Sequence, residues 1–460
     1  MGLRTRLASK PAAVACIWRD EERTYDDLLR AGDRLAADLR STGVTEGDVV
    51  AVVGDYSPTM IAALLALFEL GAVAVPLPPS LQPGDRDAKV RIARADHVIS
   101  IEADDTWTLT QGPGGDRFDL VDTLVQRGHP GLVVFTSGTT GEPKAILHDF
   151  EHFFHQFDVA RRGNVTLAFF LPDHMAGLNT LFYALCNGGT IVCVDERTPS
   201  AVCSAIERHH VQFLPTSPTF LRLCLLADAH LEHDLSSLEL VTFGSEPMHD
   251  QTLSRLQEAM PSTRFHQVYG LAELNTLRSE PRAPGSRWLR LRLENYDVKI
   301  KDGRLWVKTT SAMLGYLNAP SPFDEEGWFD TGDAVETEGE YVRILGRDTE
   351  IINVGGDKVY PAEVEDVIMR MSNVSDATVH RHYHPIIGQV VAATVVLERG
   401  EPAVGFKRRL RKHCAEHLAR YKVPVKVELT DQTAYSERFK KSRRPTEKAK
   451  EKSGRPVPAN

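Results

Sequence analysis

Nine residues, Thr136-Ser137-Gly138-Thr139-Thr140-Gly141-Glu142-Pro143-Lys144, concentrate glycines, hydroxyls and a lysine directly after the apolar run Leu132–Phe135. Such a string does a definite kind of chemistry. Glycines let backbone N–H groups close on phosphate oxygens, hydroxyls add donors, and the lysine adds positive charge. The order is not that of a Walker loop, because no Gly-Lys-Ser/Thr follows four spacer residues, which argues against a kinase or GTPase. A second grouping is His148, His152 and His155, spaced i, i+4 and i+7 on what reads as the helix after this loop. That is a plausible metal spacing, but no Cys or carboxylate completes a ligand set, so structural histidines are expected.

The phosphate string resembles that of the adenylate-forming superfamily of acyl-CoA synthetases, peptide-synthetase adenylation domains and luciferases. Further matching segments follow in family order. They are Pro172-Asp173-His174-Met175-Ala176-Gly177, Gly244-Ser245-Glu246-Pro247, Tyr269-Gly270-Leu271-Ala272-Glu273 and Trp328-Phe329-Asp330-Thr331-Gly332-Asp333. Gly346-Arg347, Ile351–Gly356 and Pro361-Ala362-Glu363-Val364-Glu365 complete the series. The resemblance covers nearly the whole chain. It implies an AMP-forming acid–CoA ligase: a carboxylate attacks the α-phosphorus of ATP, pyrophosphate leaves, and the acyl-adenylate passes its acyl group to a thiol.

The resemblance also implies roles. Thr136, Ser137, Gly138, Thr139, Thr140, Gly141 and Lys144 would hold the phosphates, and Glu273 would bind Mg²⁺, a cation that prefers carboxylate oxygen. Tyr269 and Gly270 would meet the adenine, with the backbone of Gly244, Ser245, Glu246 and Pro247 on its other side. Asp333 would accept from the ribose hydroxyls and Arg347 would contact ribose and phosphate. Lys440, with His174 and Glu273, forms the implied catalytic set. The family prefers Pro-Arg-Thr-x-x-Gly-Lys around this lysine, whereas Arg438-Phe439-Lys440-Lys441-Ser442-Arg443 stands here. Arg443 at the family's trailing basic position selects Lys440 over Lys441. Ala272 replaces a usual Thr, and Thr349 occupies the hinge position where Asp or Lys is common. The acid pocket would be lined by His174, Ala176, Gly177, Asn179, Phe243, Gly270 and Leu271. These segments carry few charges, which excludes free amino acids and favours an aromatic or cinnamate-like acid over a medium-chain fatty acid. Gly355 and Gly356 would let a pantetheine arm pass. Alternative acceptors are a separate carrier protein, an amine or, as in diazotase-like relatives, nitrite. A non-catalytic nucleotide-binding homologue is the reading from another class.

These residues need a scaffold, and the chain alternates strands with helices. Thr24 caps a helix carrying Leu28, Leu29, Ala36 and Leu39. Asp48–Val53 reads as a strand, Pro58–Leu70 as a helix and Ala72–Leu77 as a strand, with further strands at Leu167–Leu171, Thr190–Val194, Gln212–Thr216 and Leu238–Phe243. The pattern implies α/β architecture with helix-flanked, mostly parallel sheets. Asp302-Gly303 between alternating runs marks a hairpin over Val298–Thr309. Ile351–Val354, a helix over Pro361–Met371 and a strand over Gln389–Leu397 form a smaller α+β unit. The expected fold is thus a large N-terminal domain (1–346), including a small β-barrel-like part, and a mobile α+β C-terminal domain (347–445). A basic tail (446–460) is expected to be disordered.

Bulk properties narrow the classes further. The 460 residues are too many for one ordinary core. The net charge of −9 is unevenly spread, since residues 401–460 hold 17 Lys and Arg against 7 Asp and Glu. A basic module on an acidic body suits anionic ligands such as nucleotides. The basic run lacks interleaved aromatics, so nucleic acid is not an expected partner. None of the six cysteines forms a C-x-x-C pair, which fits the reducing cytoplasm. The most apolar stretch, Met60–Val75, is broken by Glu69 and Gly71 and stopped by Pro76, so no membrane span is expected.

Overall fold

The computed structural model describes residues 3–136, 142–277, 279–283, 286–291, 296–384 and 388–430. Two compact units emerge. One comprises Met1–Ser245, Arg255–Thr331 and Glu336–Arg343; the other comprises Glu246–Ser254, Gly332–Val335 and the chain from Ile344 onward. The expected tail, 446–460, lies outside the described residues.

Local sequence explains the first unit's helices. The Thr24 side chain accepts from the Asp27 backbone N–H, while the Thr24 N–H donates to Asp27 Oδ2 at 3.0 Å, a reciprocal capping box. The helix Tyr25–Ser41 then buries Leu28, Leu35, Ala36 and Leu39 along one stripe. Pro58–Glu69 is capped by Ser57, starts on a proline and is almost wholly apolar. It therefore sits inside, with Met60, Ala63, Leu64 and Leu67 fully covered.

Among the described residues the first unit holds two seven-stranded sheets and most of a six-stranded one. One runs in the order Arg264–Gln267, Leu240–Phe243, Phe213–Thr216, Val165–Leu167, Thr190–Cys193, Val14–Trp18, Glu21–Thr24, parallel except at the last pair. The other runs Gly315–Tyr316, Lys144–Asp149, Gly131–Thr136, Val73–Leu77, Val49–Val53, His97–Ile101, Trp107–Gln111. Its centre is parallel and its two margins are antiparallel. Strands such as Val49–Val53 and Val73–Leu77 are buried at every position, as helix-covered parallel strands must be. The expected hairpin is present in the six-stranded sheet: Tyr296–Lys301 pairs with Arg304–Thr309 through Asp302 and Gly303, both at positive φ.

Two expectations are corrected. The strand expected over Leu167–Leu171 ends at Leu167, because Phe169 N–H turns back to the Leu167 carbonyl at 3.0 Å. Ala168, Phe169 and Phe170 are buried there, and a buried apolar run does not by its composition distinguish strand from turn. His148 is not on a helix with His152 and His155. It lies in the strand Lys144–Asp149, paired with Leu132, and the helix begins only at Phe150, capped by Asp149.

In the second unit the helix Pro361–Met369 packs on strands Val374–His384, Gly388–Leu397 and Lys426–Leu429. Val364, Ile368, Val379, Val391 and Val395 meet Phe406, Leu410 and Cys414 of the helix Ala403–His417 in one core. Among the described residues no helix is long and apolar enough to cross a membrane.

Candidate adenylate-forming site

The phosphate string closes an antiparallel hairpin. Gly131–Thr136 and Lys144–Asp149 pair in a register that sets Thr136 directly opposite Lys144. Ser137, Gly138, Thr139, Thr140 and Gly141 lie outside the described residues. Pro143 and Ala145, on the returning arm, are clamped by one amide: Asn318 Oδ1 accepts from the Ala145 N–H and Asn318 Nδ2 donates to the Pro143 carbonyl, both at 2.9 Å.

Lys144 Nζ lies 4.7 Å from the centroid of the Tyr316 ring, and the Tyr316 hydroxyl donates to Glu273 Oε1 at 2.9 Å. One tyrosine therefore holds the hairpin's cation on its face and the candidate Mg²⁺ carboxylate at its edge. The Glu273 backbone is fixed as well, because its carbonyl accepts from the Met313 N–H at 2.8 Å. Sequence reasoning missed Tyr316 and Asn318. They reach the site only because Gly315–Tyr316 adds to the margin of the sheet, opposite Leu147 and Ile146.

His148 Nε2 lies 2.7 Å from the Ala272 carbonyl, so the neutral imidazole donates there. Burial pushes its pKa down to about 4, only partly opposed by that hydrogen bond. The histidine is structural, as expected, and it ties the hairpin to the residue before Glu273.

Several of the candidate acid-pocket residues lie on the helix Met175–Cys186 or at its start. His174 caps it, with Nδ1 accepting from the Ala176 N–H at 3.2 Å and the ring stacked on Phe170, 5.1 Å between centroids. Ala176 and Gly177 form the first turn of that helix. Asn179 acts as a tie: Nδ2 donates to Asn275 Oδ1 (2.5 Å) and Thr276 Oγ1 (3.0 Å), and Oδ1 accepts from Gln156 at 2.9 Å. This anchors the helix to the hairpin formed by Tyr269–Leu271 and Asn275–Leu277. A Cβ on Gly270 would lie 2.7 Å from the Asn275 carbonyl oxygen, so only glycine permits this close approach. Tyr269, Leu271 and Phe243 are buried. Gly244 is also buried, and Ser245, exposed, follows it at φ 66°. Beside His174 lies a pair the sequence did not announce, Lys89 Nζ and Asp173 Oδ2 at 3.3 Å, with side chains only 8% and 0% exposed. Removing one partner would leave the other charge buried without this ion pair.

The second unit holds the ribose candidates. Asp333 is 5% exposed, and Arg347 Nε lies 3.4 Å from its Oδ1. Glu246 and Pro247 are half-buried in the same unit. Thr349 lies in the turn Asp348–Glu350, where its carbonyl accepts from Arg381. Gly355 (φ 62°) and Gly356 (φ 100°) form the two-residue connection between Ile352–Val354 and Asp357–Val359. A turn with positive φ at both central positions selects glycine. Lys440, Lys441 and Arg443 lie outside the described residues.

The profile of the AMP-binding enzyme family matches residues 3–317, and that of the AMP-binding enzyme C-terminal domain matches residues 363–440. The chain belongs to the AMP-binding enzyme family. It is 28% identical to a 2-succinylbenzoate–CoA ligase of Bacillus pumilus, covering 92% of each chain. It is 29% identical to a feruloyl-CoA synthase of Amycolatopsis, covering 93% of this chain and 94% of that one. The fold matches an anthranilate CoA ligase solved with anthranoyl-AMP, with a TM-score of 0.82 at 20% identity over 98% of this chain and 97% of that one.

For this AMP-binding enzyme, His148 generates a test. Its folded pKa is depressed below the ordinary 6.5, so the unfolded chain takes up the proton first as pH falls. The stabilisation is present above about 6.5, is lost progressively towards pH 4, and amounts to about 3 kcal/mol. His148→Gln keeps a donor but no titration. Urea unfolding at pH 7 and pH 4.5 should show the stability gap between wild type and variant narrowing at the lower pH. A constant gap would contradict the assignment.

Proposed function

We propose that this AMP-binding enzyme activates an aromatic or cinnamate-like carboxylic acid with ATP and transfers the acyl group to the thiol of coenzyme A. In the first half-reaction a carboxylate oxygen bonds to the α-phosphorus and the bond to the β-phosphate oxygen breaks, releasing pyrophosphate. In the second, the thiolate bonds to the acyl carbon and AMP leaves. The observation that carries this reading is the Lys144–Tyr316–Glu273 arrangement at the foot of the phosphate hairpin. Two anions must meet at phosphorus, and fixed positive charge at that point lowers the barrier.

Lys144 and the hydroxyls of Thr136, Ser137, Thr139 and Thr140 bind the phosphates. Glu273 suits Mg²⁺, since it offers hard carboxylate oxygen next to the phosphate hairpin, and its side chain is oriented by Tyr316. Bound there, Mg²⁺ supplies charge neutralisation on the phosphates. Asp333 and Arg347 take the ribose, Tyr269 and Gly244–Pro247 the adenine. Ala176, small and in the first turn of its helix, is assigned to the acid pocket with Phe243 and Leu271. The second named relative's substrate class and that of the anthranilate enzyme support an aromatic acid. The Gly355-Gly356 turn presents bare backbone to the pantetheine arm. Six free cysteines fit work in the reducing cytoplasm.

Pyrophosphate release is measured with ATP, Mg²⁺ and a panel of hydroxycinnamates, benzoates and medium-chain fatty acids, with and without coenzyme A. Aromatic acids should give the highest rates, and coenzyme A should raise turnover. Acid-independent pyrophosphate release would reject the activation step. Turnover indifferent to coenzyme A would move the acceptor to a carrier protein, an amine or nitrite.

Lys440 supplies charge to the attacking carboxylate and the α-phosphate. Lys440→Ala should slow adenylation by about 10²–10³-fold. A crippled Lys441→Ala beside a normal Lys440→Ala would shift the register by one.

Lys440 and the Gly355-Gly356 turn both belong to the C-terminal part of the chain, which we take as 347–445, yet they serve successive steps at one acyl carbonyl. We assign the hinge between the steps to Thr349. Thr349→Pro fixes φ near −65° and restricts residue 348. The variant should retain acid-dependent pyrophosphate exchange and lose thioester formation. Equal loss of both half-reactions would remove Thr349 from the hinge.

A further inference from the structure

The helix Ala403–His417 ends in His413-Cys414-Ala415-Glu416-His417. A helix brings residues i, i+3 and i+4 to one face. Ring nitrogens of His413 and His417 and a carboxylate oxygen of Glu416 accordingly lie within 4.8 Å of one another. Cys414 is fully buried in the core and takes no part. Nothing in the adenylate-forming chemistry uses these three side chains.

The hydrogen bonds at this helix end resemble those that prepare histidines for a metal. His413 Nε2 lies 3.1 Å from the Val367 carbonyl, and His417 Nδ1 lies 2.9 Å from the His413 carbonyl. A carbonyl only accepts, so each of these nitrogens carries the proton. The other nitrogen of each ring is then the one left for a metal. A backbone acceptor that fixes tautomer and orientation is the usual support of a metal-bound imidazole. The rings are neighbours, with centroids 4.5 Å apart. Arg409, one turn earlier, has its guanidinium committed to Glu401 at 2.8 Å and to Ser372, so its charge is neutralised locally.

We propose that His413, Glu416 and His417 form a binding site for a divalent transition metal of the zinc class. Two imidazoles and one carboxylate supply three ligands, and water supplies the fourth. Ligand atoms around tetrahedral zinc lie about 3.3 Å apart. The cluster therefore contracts on binding, which the exposed Glu416 side chain achieves by rotamer change while the hydrogen-bonded rings keep their orientation. The imidazole pair selects zinc, nickel or copper over Mg²⁺, which prefers oxygen ligands and keeps its water. The metal ties the last turn of a helix that sends Phe406, Leu410 and Cys414 into the second unit's core. Its occupancy thereby adds stability to that unit, because binding to the folded state alone favours folding.

The test uses the full-length protein without nucleotide. Zn²⁺ is titrated in competition with a chromophoric chelator for wild type, His417→Ala and Glu416→Gln, both substitutions being on the exposed surface. Wild type should bind one Zn²⁺ that His417→Ala holds at least about tenfold more weakly. Zn²⁺ should also raise the thermal midpoint of wild type but not of His417→Ala, and excess Mg²⁺ should not displace it. Superimposable Zn²⁺ titrations of wild type and His417→Ala, with or without binding, would overturn the proposal. Retained circular dichroism of the variants excludes misfolding as the cause of a loss.

Discussion

The antiparallel pairing of Gly131–Thr136 with Lys144–Asp149 is the constraint on which the rest of the first unit's site depends. Its register places Thr136 opposite Lys144, which fixes both ends of the phosphate string. The outer strand Gly315–Tyr316 attaches to the same arm, which brings Tyr316 under Lys144 and Asn318 onto Pro143 and Ala145. One residue's slip in either pairing would turn these side chains to the opposite face. Backbone pairing, not the side chains themselves, thus sets the separation between the hairpin's cation and Glu273.

Buried polar groups lock this geometry. His148 is almost fully covered and donates a hydrogen bond to the Ala272 carbonyl, joining the returning arm to the segment that carries Tyr269 and Glu273. Asn179 does the same for the helix on the acid side, using three hydrogen bonds at once. Lys89 and Asp173 add a desolvated ion pair next to His174. Each of these groups is costly to bury alone, so each admits few alternative packings of its neighbours. That rigidity is what a site for a charged transition state requires, because donors that reorient during reaction give up much of their benefit.

The second unit follows another logic. Its functional candidates are spread over a strand, a strand end and a turn: Asp333 within Phe329–Glu338, Arg347 at the end of Tyr341–Arg347, and Gly355-Gly356 in a hairpin turn with both φ positive. Arg347 is more than half exposed even while its guanidinium lies against Asp333. The exposed Arg347 is available to a ligand, whereas the compact core of Val364, Ile368, Val391 and Phe406 supplies the mechanical support. The histidines at the end of the helix Ala403–His417 share this pattern of an exposed functional edge on an apolar base.

The sequence by itself determined the α/β class and the existence of most elements, and it pointed to the phosphate string. Apolar periodicity, capping residues and an Asp-Gly pair are local signals, and local geometry answers to them: the Thr24 cap and the Asp302-Gly303 turn both form where the residues indicate. The short buried run after Leu167 and the position of His148 went the other way. There the same apolar composition suits a strand, a helix or a turn, and pairing with distant segments decides. Tyr316, Asn318 and Lys89 were illegible for the same reason. Their roles arise from contacts with residues 43 to 175 positions away, and nothing in a single sequence encodes which distant strand will lie alongside. Chemistry was written in residue type, and the tertiary structure alone decided which of those residues meet.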